Sequence, residues 1–379
     1  MLFLLVTYLQ RAGVDISGLR VIKYISFRSA MALITAFTLG FLIGPGIIRM
    51  LRRLKVGQQI REIKSQDGIQ LPDKHMDKQG TPVMGGIIIV IAFLAPVLLF
   101  CNLTDPLILM LLAMTVGFGL VGYRDDYLKI TKKNADGLSA RTKFICQLIL
   151  GMVVGLFLKL KGDGIIYSLT SEAGGTHICF PFIKDWYPDL GWFFILYAMV
   201  VVTATSNAVN LTDGLDGLAI GTVIIVAVSY GVLAYLAGRP DFSRYLLIPY
   251  IQGGGEITIF LAAMVGGAVS FLWFNANPAQ IFMGDTGSLI LGGLIGTVAL
   301  FLKQELLLLI IGGIFVLEAL SVIIQVGSFK LRNKKRVFLM APIHHHYEKK
   351  GIPEPKIIAR FWIVATLLAL AGLTTLKLR

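Results

Sequence analysis

A chain of 379 residues that is 56% hydrophobic and only 15% charged, with a mean hydropathy of +0.77, is too apolar for a water-soluble fold. Its formal charge of +13 raises the question of nucleic acid. Basic loops set between apolar runs explain that charge through membrane topology and anionic lipid or substrate, so no nucleic-acid partner is expected.

Residues 1–25 carry Arg11, Arg20 and Lys23, with Arg28 just beyond. They read as an interfacial amphipathic segment rather than a cleaved signal. Apolar runs near the ~20 residues that a spanning helix needs then follow at 29–48, 83–101, 106–122, 144–160, 191–208, 217–238, 257–274, 287–302, 305–327 and 357–376. They are continuously apolar, whereas a membrane barrel alternates with period two. Helices are the other way to satisfy every backbone group in lipid. The expected fold is therefore all-α, a polytopic integral membrane protein of ten transmembrane helices in a single domain over 1–379. No internal repeat of the kind that marks many transporters is visible. Cys101, Cys146 and Cys179 show neither pairing nor metal spacing.

Three segments, 49–82, 123–143 and 328–356, hold most of the 35 Lys and Arg residues. With ten spans all three fall on one side, which the positive-inside rule makes cytoplasmic, and both termini lie outside. The N-terminal basic residues are the one signal against this orientation.

Polar clusters stand at the cytoplasmic ends of the spans. The first basic loop closes on His75, Lys78, Gly80, Thr81 and the Gly85-Gly86 pair, a cation and an imidazole that could hold phosphate beside glycines that allow close packing. The third span ends Gly122-Tyr123-Arg124-Asp125-Asp126-Tyr127-Leu128-Lys129. In a helix both carboxylates flank the Lys129 ammonium. Adjacent carboxylates repel, so this pair suits a metal, a phosphate-bound proton or a general base better than a plain surface ion pair.

The fifth span runs into Asn207-Ala208-Val209-Asn210-Leu211-Thr212-Asp213-Gly214-Leu215-Asp216-Gly217. A simple helix break would not need two Asn and two Asp. Asn275 then precedes Phe282-Met283-Gly284-Asp285-Thr286-Gly287-Ser288, which reads as a helix start, where free N–H groups favour an anion. An Asp at this depth is costly unless paired or bound to metal. Glu318, Ser321 and Gln325 share a face of the ninth span and suit interhelical hydrogen bonds. Last comes Met340-Ala341-Pro342-Ile343-His344-His345-His346-Tyr347-Glu348, a membrane-surface loop with three of the five histidines side by side. Phosphates or a metal would account for that crowding; packing would not.

The Asp125-Asp126-x-x-Lys129, Asn210 to Gly217 and Phe282 to Ser288 stretches together resemble the polyprenyl-phosphate N-acetylhexosamine-1-phosphate transferase superfamily. The histidine stretch and Gly80-Thr81-Pro82-x-Met84-Gly85-Gly86 resemble, more narrowly, the bacterial phospho-N-acetylmuramoyl-pentapeptide transferases. The likeness runs from about residue 25 to the C-terminus, with Val83 departing from the family's usual Thr.

The resemblance implies transfer of phospho-MurNAc-pentapeptide from UDP-MurNAc-pentapeptide to undecaprenyl phosphate, with Mg²⁺, giving lipid I and UMP in a bacterial inner membrane. It implies Asp285 as the magnesium ligand, Asp125 and Asp126 at the lipid phosphate, and Asn207, Asn210 and Asp213 near the nucleotide. Asp216, Asn275 and Phe282 join the substrate-binding set, and Lys78, Lys129, His75 and His344 to His346 would hold phosphates or support the site, with His344 among the catalytic groups. A homodimer stays open. The rivals are a sister transferase using another UDP-sugar, which the histidine stretch disfavours, and an anion transporter, which would place its polar site near the midplane.

Overall fold

The computed structural model describes residues 1–12, 17–54, 80–131, 137–167, 174–183, 186–332 and 334–377. His75 and Lys78, and most of the first basic loop with them, lie outside the described residues.

The protein is an all-α, multi-pass membrane protein. A short helix α1 (Leu2–Arg11) precedes α2 (Ile25–Arg53), α3 (Gly86–Phe100), α4 (Pro106–Thr131) and α5 (Ala140–Lys161). Then come α6 (Phe193–Thr212), α7 (Leu218–Ala237), the short α8 (Pro240–Leu246), α9 (Gly254–Asn275) and α10 (Gly284–Phe301). The chain closes with α11 (Leu308–Ile311), α12 (Gly313–Leu331), α13 (Ile343–Lys349) and α14 (Glu354–Thr374). Among the described residues nine helices are long and apolar enough to cross a membrane, and the shorter apolar α3 makes the tenth expected run. The ninth run, read as 305–327, is in fact interrupted: α11 stops at Gly312 and α12 begins at Gly313.

Burial sorts the helices into a centre and a rim. Every residue of α10 from Thr286 to Phe301 is buried, as a helix apolar on all sides demands. Helices α4 and α6 pack on it, and α9 joins α2, α3 and α7. The rim helices α2, α12 and α14 turn leucines and isoleucines outward, among them Leu42, Ile323 and Leu367, to face lipid. Where helices must touch closely, small residues make room. A Cβ on Gly122 of α4 would run into the backbone of Asp285 and Thr286, and one on Gly86 of α3 would run into that of Gly287. Both contacts fall at the start of α10 and fix where Asp285 sits.

At the opposite end of the bundle two-residue strands, β1 (Ile166–Tyr167) and β2 (Tyr250–Ile251), pair antiparallel. Arg28 opens α2 there, 3% exposed, with two nitrogens on the Glu256 carboxylate at 2.9 and 2.7 Å and one on the Phe100 carbonyl. One of the N-terminal charges that argued against the expected orientation is therefore paired inside the protein.

Candidate active site

The chemistry gathers where the C-terminal ends of α4 and α6 meet the N-terminal ends of α5 and α10. Asp285 is the hub: its Oδ2 accepts from Lys129 Nζ at 2.8 Å and from Lys143 Nζ at 2.6 Å, and its Oδ1 from Asn210 Nδ2 at 2.8 Å. Lys129 also lies 2.6 Å from Asp125 Oδ2, so one ammonium bridges two carboxylates. Asp125 in turn receives the Leu138 backbone N–H on its other oxygen at 2.9 Å.

Asp126 does something the sequence reading did not foresee. The Lys129 charge acts on it, but its hydrogen bonds go to α10: it accepts from the backbone N–H groups of Asp285 and Thr286, at 3.1 and 2.9 Å, and from the Thr286 hydroxyl at 2.6 Å. The free N–H groups expected to attract an external anion are thus already met by a carboxylate, and neither Asp285 nor Thr286 caps its own helix. Gly284, at φ +74°, makes the turn that brings these groups round, and a Cβ there would press on Asp126 and Val83.

A divalent cation fits this donor set. One carboxylate oxygen from each of Asp125, Asp126 and Asp285 lies within 4.8 Å of the others, and such hard oxygens suit Mg²⁺. Asp285 already draws two ammonium groups, which marks it as the point of greatest demand for positive charge. Asp126, spent on α10, is the poorest donor of the three.

Residues 108–303 match the glycosyl transferase family 4 profile. Over 365 residues the chain is 48% identical to the phospho-N-acetylmuramoyl-pentapeptide-transferase of Desulfotalea psychrophila, covering 96% of each. It is 49% identical over 366 residues to the protein of that name from Citrifermentans bemidjiense, covering 96% of this chain and 97% of the other. With the Oleidesulfovibrio alaskensis protein of that name identity is 46% over 372 residues, 98% and 99% covered. The chain belongs to the phospho-N-acetylmuramoyl-pentapeptide-transferase family.

The remaining expected site residues of this family member divide into those near the acidic cluster and those that build its walls. Asn207, one turn below Asn210, gives its amide to Gln147 Oε1 and the Thr203 carbonyl, both at 2.8 Å. Asn275 is 3% exposed, accepts from Gly217 N at 3.0 Å and donates to the Ile281 carbonyl at 2.9 Å. Asp216 accepts from Asn277 Nδ2 and Ala279 N at 3.2 and 3.1 Å. Asn275 and Asp216 fasten the turn after α6 to the loop that leads into α10, while Asn207 ties α6 to α5. Phe282 is half-buried, and its backbone bonds Pro82 and Gly85 at 2.9 and 2.8 Å. That contact delivers the chain emerging from the first basic loop to the start of α10.

Asp213 stands in the turn itself. Removal from water, and then the negative charges of Asp285, Asp126 and Asp216, push its carboxyl up to about 8.

The histidine stretch is not the surface loop expected of it. Ile343–Lys349 forms α13, and His344 is fully buried, its Nδ1 3.1 Å from Glu318 Oε1 of α12. Packing accounts for one histidine of the three after all. His345 pairs with Glu348 at 2.9 Å, and His346 Nδ1 accepts from Leu339 N at 3.1 Å. Gln325 holds the approach to α13, accepting from Val337 N and Phe338 N and donating to the Phe338 carbonyl at 3.0 Å, so its bonds go to a loop and not to another helix as expected.

In the sequence nothing sets Lys143 apart from the rest of the basic segment 123–143 as a site residue. Its position on a helix does: it lies in the first turn of α5, which Ser139 caps through Thr142 N at 3.1 Å. A cation there opposes the helix dipole and calls for a nearby anion.

Proposed function

We propose that the protein transfers phospho-MurNAc-pentapeptide from UDP-MurNAc-pentapeptide to undecaprenyl phosphate, forming lipid I and releasing UMP, at a site facing the cytoplasm of a bacterial inner membrane. Both chain termini then lie outside. The observation that carries this reading is the Asp125, Asp126 and Asp285 cluster bridged by Lys129 and Lys143 at one end of the helix bundle, in a chain of this family. A lipid phosphate anchored in the bilayer and a soluble nucleotide can both reach such a place.

The reaction makes one phosphoanhydride while breaking another. An oxygen of the lipid phosphate forms a bond to the sugar phosphate, and the bond from that phosphorus to UMP breaks, so catalysis is a matter of positioning and charge. Lys129 and Lys143 offset the charge that collects on the diphosphate. Asn210 orients Asp285, and Asp126 fixes the helix start that carries it. Mg²⁺, held by Asp285 and Asp125 with Asp126 bracing them, would supply further charge neutralisation. Asp125 orients the lipid phosphate for direct attack; a phosphate monoester with a second pKa near ~6 needs little help from a base at neutrality.

The test is UMP release by the purified protein given UDP-MurNAc-pentapeptide, undecaprenyl phosphate and Mg²⁺. We expect release to depend on all three and to fall by a factor on the order of 10² in Asp285→Asn, as for loss of one well-placed electrostatic group. Release with UDP-GlcNAc instead would point to the sister transferases. UMP formed without lipid acceptor, or a trapped phospho-MurNAc adduct, would show a covalent route.

A further inference from the structure

His344 and Glu318 form a closed pair. Both are 0% exposed, with Nδ1 and Oε1 3.1 Å apart, yet neither ring nitrogen nor either carboxylate oxygen makes a well-aligned hydrogen bond to a described residue, the contact between the two included. A carboxylate buried in a membrane-spanning helix is costly. An apolar residue of similar size in its place is often neutral or stabilising. Stability alone therefore gives Glu318 little reason to be there.

The other side of the imidazole explains more. A Cβ built on Gly214 would collide with His344 Nε2, so the ring lies directly under the turn after α6. That turn is tied to the start of α10 through Gly217 on Asn275, Asn275 on the Ile281 carbonyl, and Asp216 on Asn277 and Ala279. Asn210, in the last turn of α6, holds Asp285 itself. A rotation of the imidazole would thus be felt four residues ahead of Asp285. The hydrogen bond at one imidazole nitrogen sets which form the other presents.

We propose that Glu318 is a positioning residue for the transfer. Its carboxylate accepts the Nδ1 proton of His344 and fixes the ring so that Nε2 bears on the Asp213–Gly214 turn and holds the acidic cluster in register. The inference rests on the transferase reading for its kinetic test but not for its spectroscopic one.

The test uses the full chain in detergent with Glu318→Leu, Glu318→Gln, His344→Gln and the Leu/Gln double variant. Glu318→Leu should keep its thermal midpoint within a few degrees, yet lose about tenfold or more in kcat with KM for the nucleotide changed less than about threefold. Glu318→Gln, whose amide oxygen still accepts, should retain about a third of the rate or more. The double variant should be no slower than His344→Gln, because the two act as one unit. Nitrogen-15 histidine NMR should show one buried ring in the Nδ1–H form in the wild type and in Glu318→Gln, and its loss in Glu318→Leu.

Wild-type kcat in a folded Glu318→Leu would overturn the proposal, as would equal damage from Leu and Gln. If Glu318→Leu does not fold, the wild-type spectrum decides: a buried ring in the Nε2–H form overturns it. Wild-type protein that releases no UMP would instead refute the transferase reading, and the tautomer would still judge Glu318.

Discussion

Asp126 and Asp125 are neighbours in the chain and nearly equally buried, yet they do different work. Asp126 spends three hydrogen bonds on the start of α10, while Asp125 shares Lys129 with Asp285. Asp126→Ala should cost about 1–3 kcal/mol, the usual penalty for buried donors left without a partner, seen as a lower thermal midpoint along with lost activity. Asp285→Asn should lose activity with a much smaller fall in midpoint; if the two variants were equally unstable, the division of labour would be wrong. Asp213 gives a prediction in pH. Its carboxyl is raised in the folded protein to about 8, against roughly 3.9 unfolded. Between those values the unfolded chain sheds the proton and the folded one keeps it, so stability falls as pH rises and the cost is complete above the folded value. Asp213→Asn should match the wild type near pH 4 and melt higher near pH 8.5, measured with chelator present. A wild-type midpoint flat across that window would remove the assignment.

Two helix starts decide the geometry of the site. Helix α10 can approach α4 because residue 122 has no side chain. Gly122→Ala should push the two helices apart, cost about 1–3 kcal/mol as overpacking does, and pull Asp285 away from Lys129. Gly119→Ala on the same helix meets only Ile290 Cδ1 at 3.5 Å and serves as a control that should keep both stability and UMP release. The elements themselves were legible in the sequence, since long apolar runs bounded by charge leave little choice in lipid. The break at Gly312 and Gly313 was not, because two glycines inside an apolar run do not alter its hydropathy. The burial of His344 was not legible either. Its partner, Glu318, lies 26 positions away on another helix, and no local pattern announces a contact at that range. Asp125, Asp285 and Lys129 could be grouped from their motifs, whereas the reach of Asp126 to α10 depends on the crossing of α4 and α10 at Gly122.

At the scale of the whole molecule, charge is divided between the two ends of the bundle. Lys129 and Lys143 of the basic segment 123–143 bind the acidic cluster, while Arg28 at the other end is neutralised by Glu256. In a variant with Cys101, Cys146 and Cys179 replaced, single cysteines at Lys64, Lys133 and Lys335 should react with an impermeant reagent only from the cytoplasmic side. A cysteine at the exposed Asp241 should react only from outside. Labelling of any of the first three in intact cells would reverse or break the proposed orientation.

The carboxylate of Asp126 on the start of α10 also bears on how a small molecule could block the site. A phosphonate or sulfonate built to imitate the diphosphate would gain nothing by aiming at that helix terminus, where it would meet a fixed negative charge instead of open N–H groups. Its useful direction of approach is from the side of Lys129 and Lys143, and its tightness should fall when either lysine is lost, whereas the charge of Asp126 should work against it throughout.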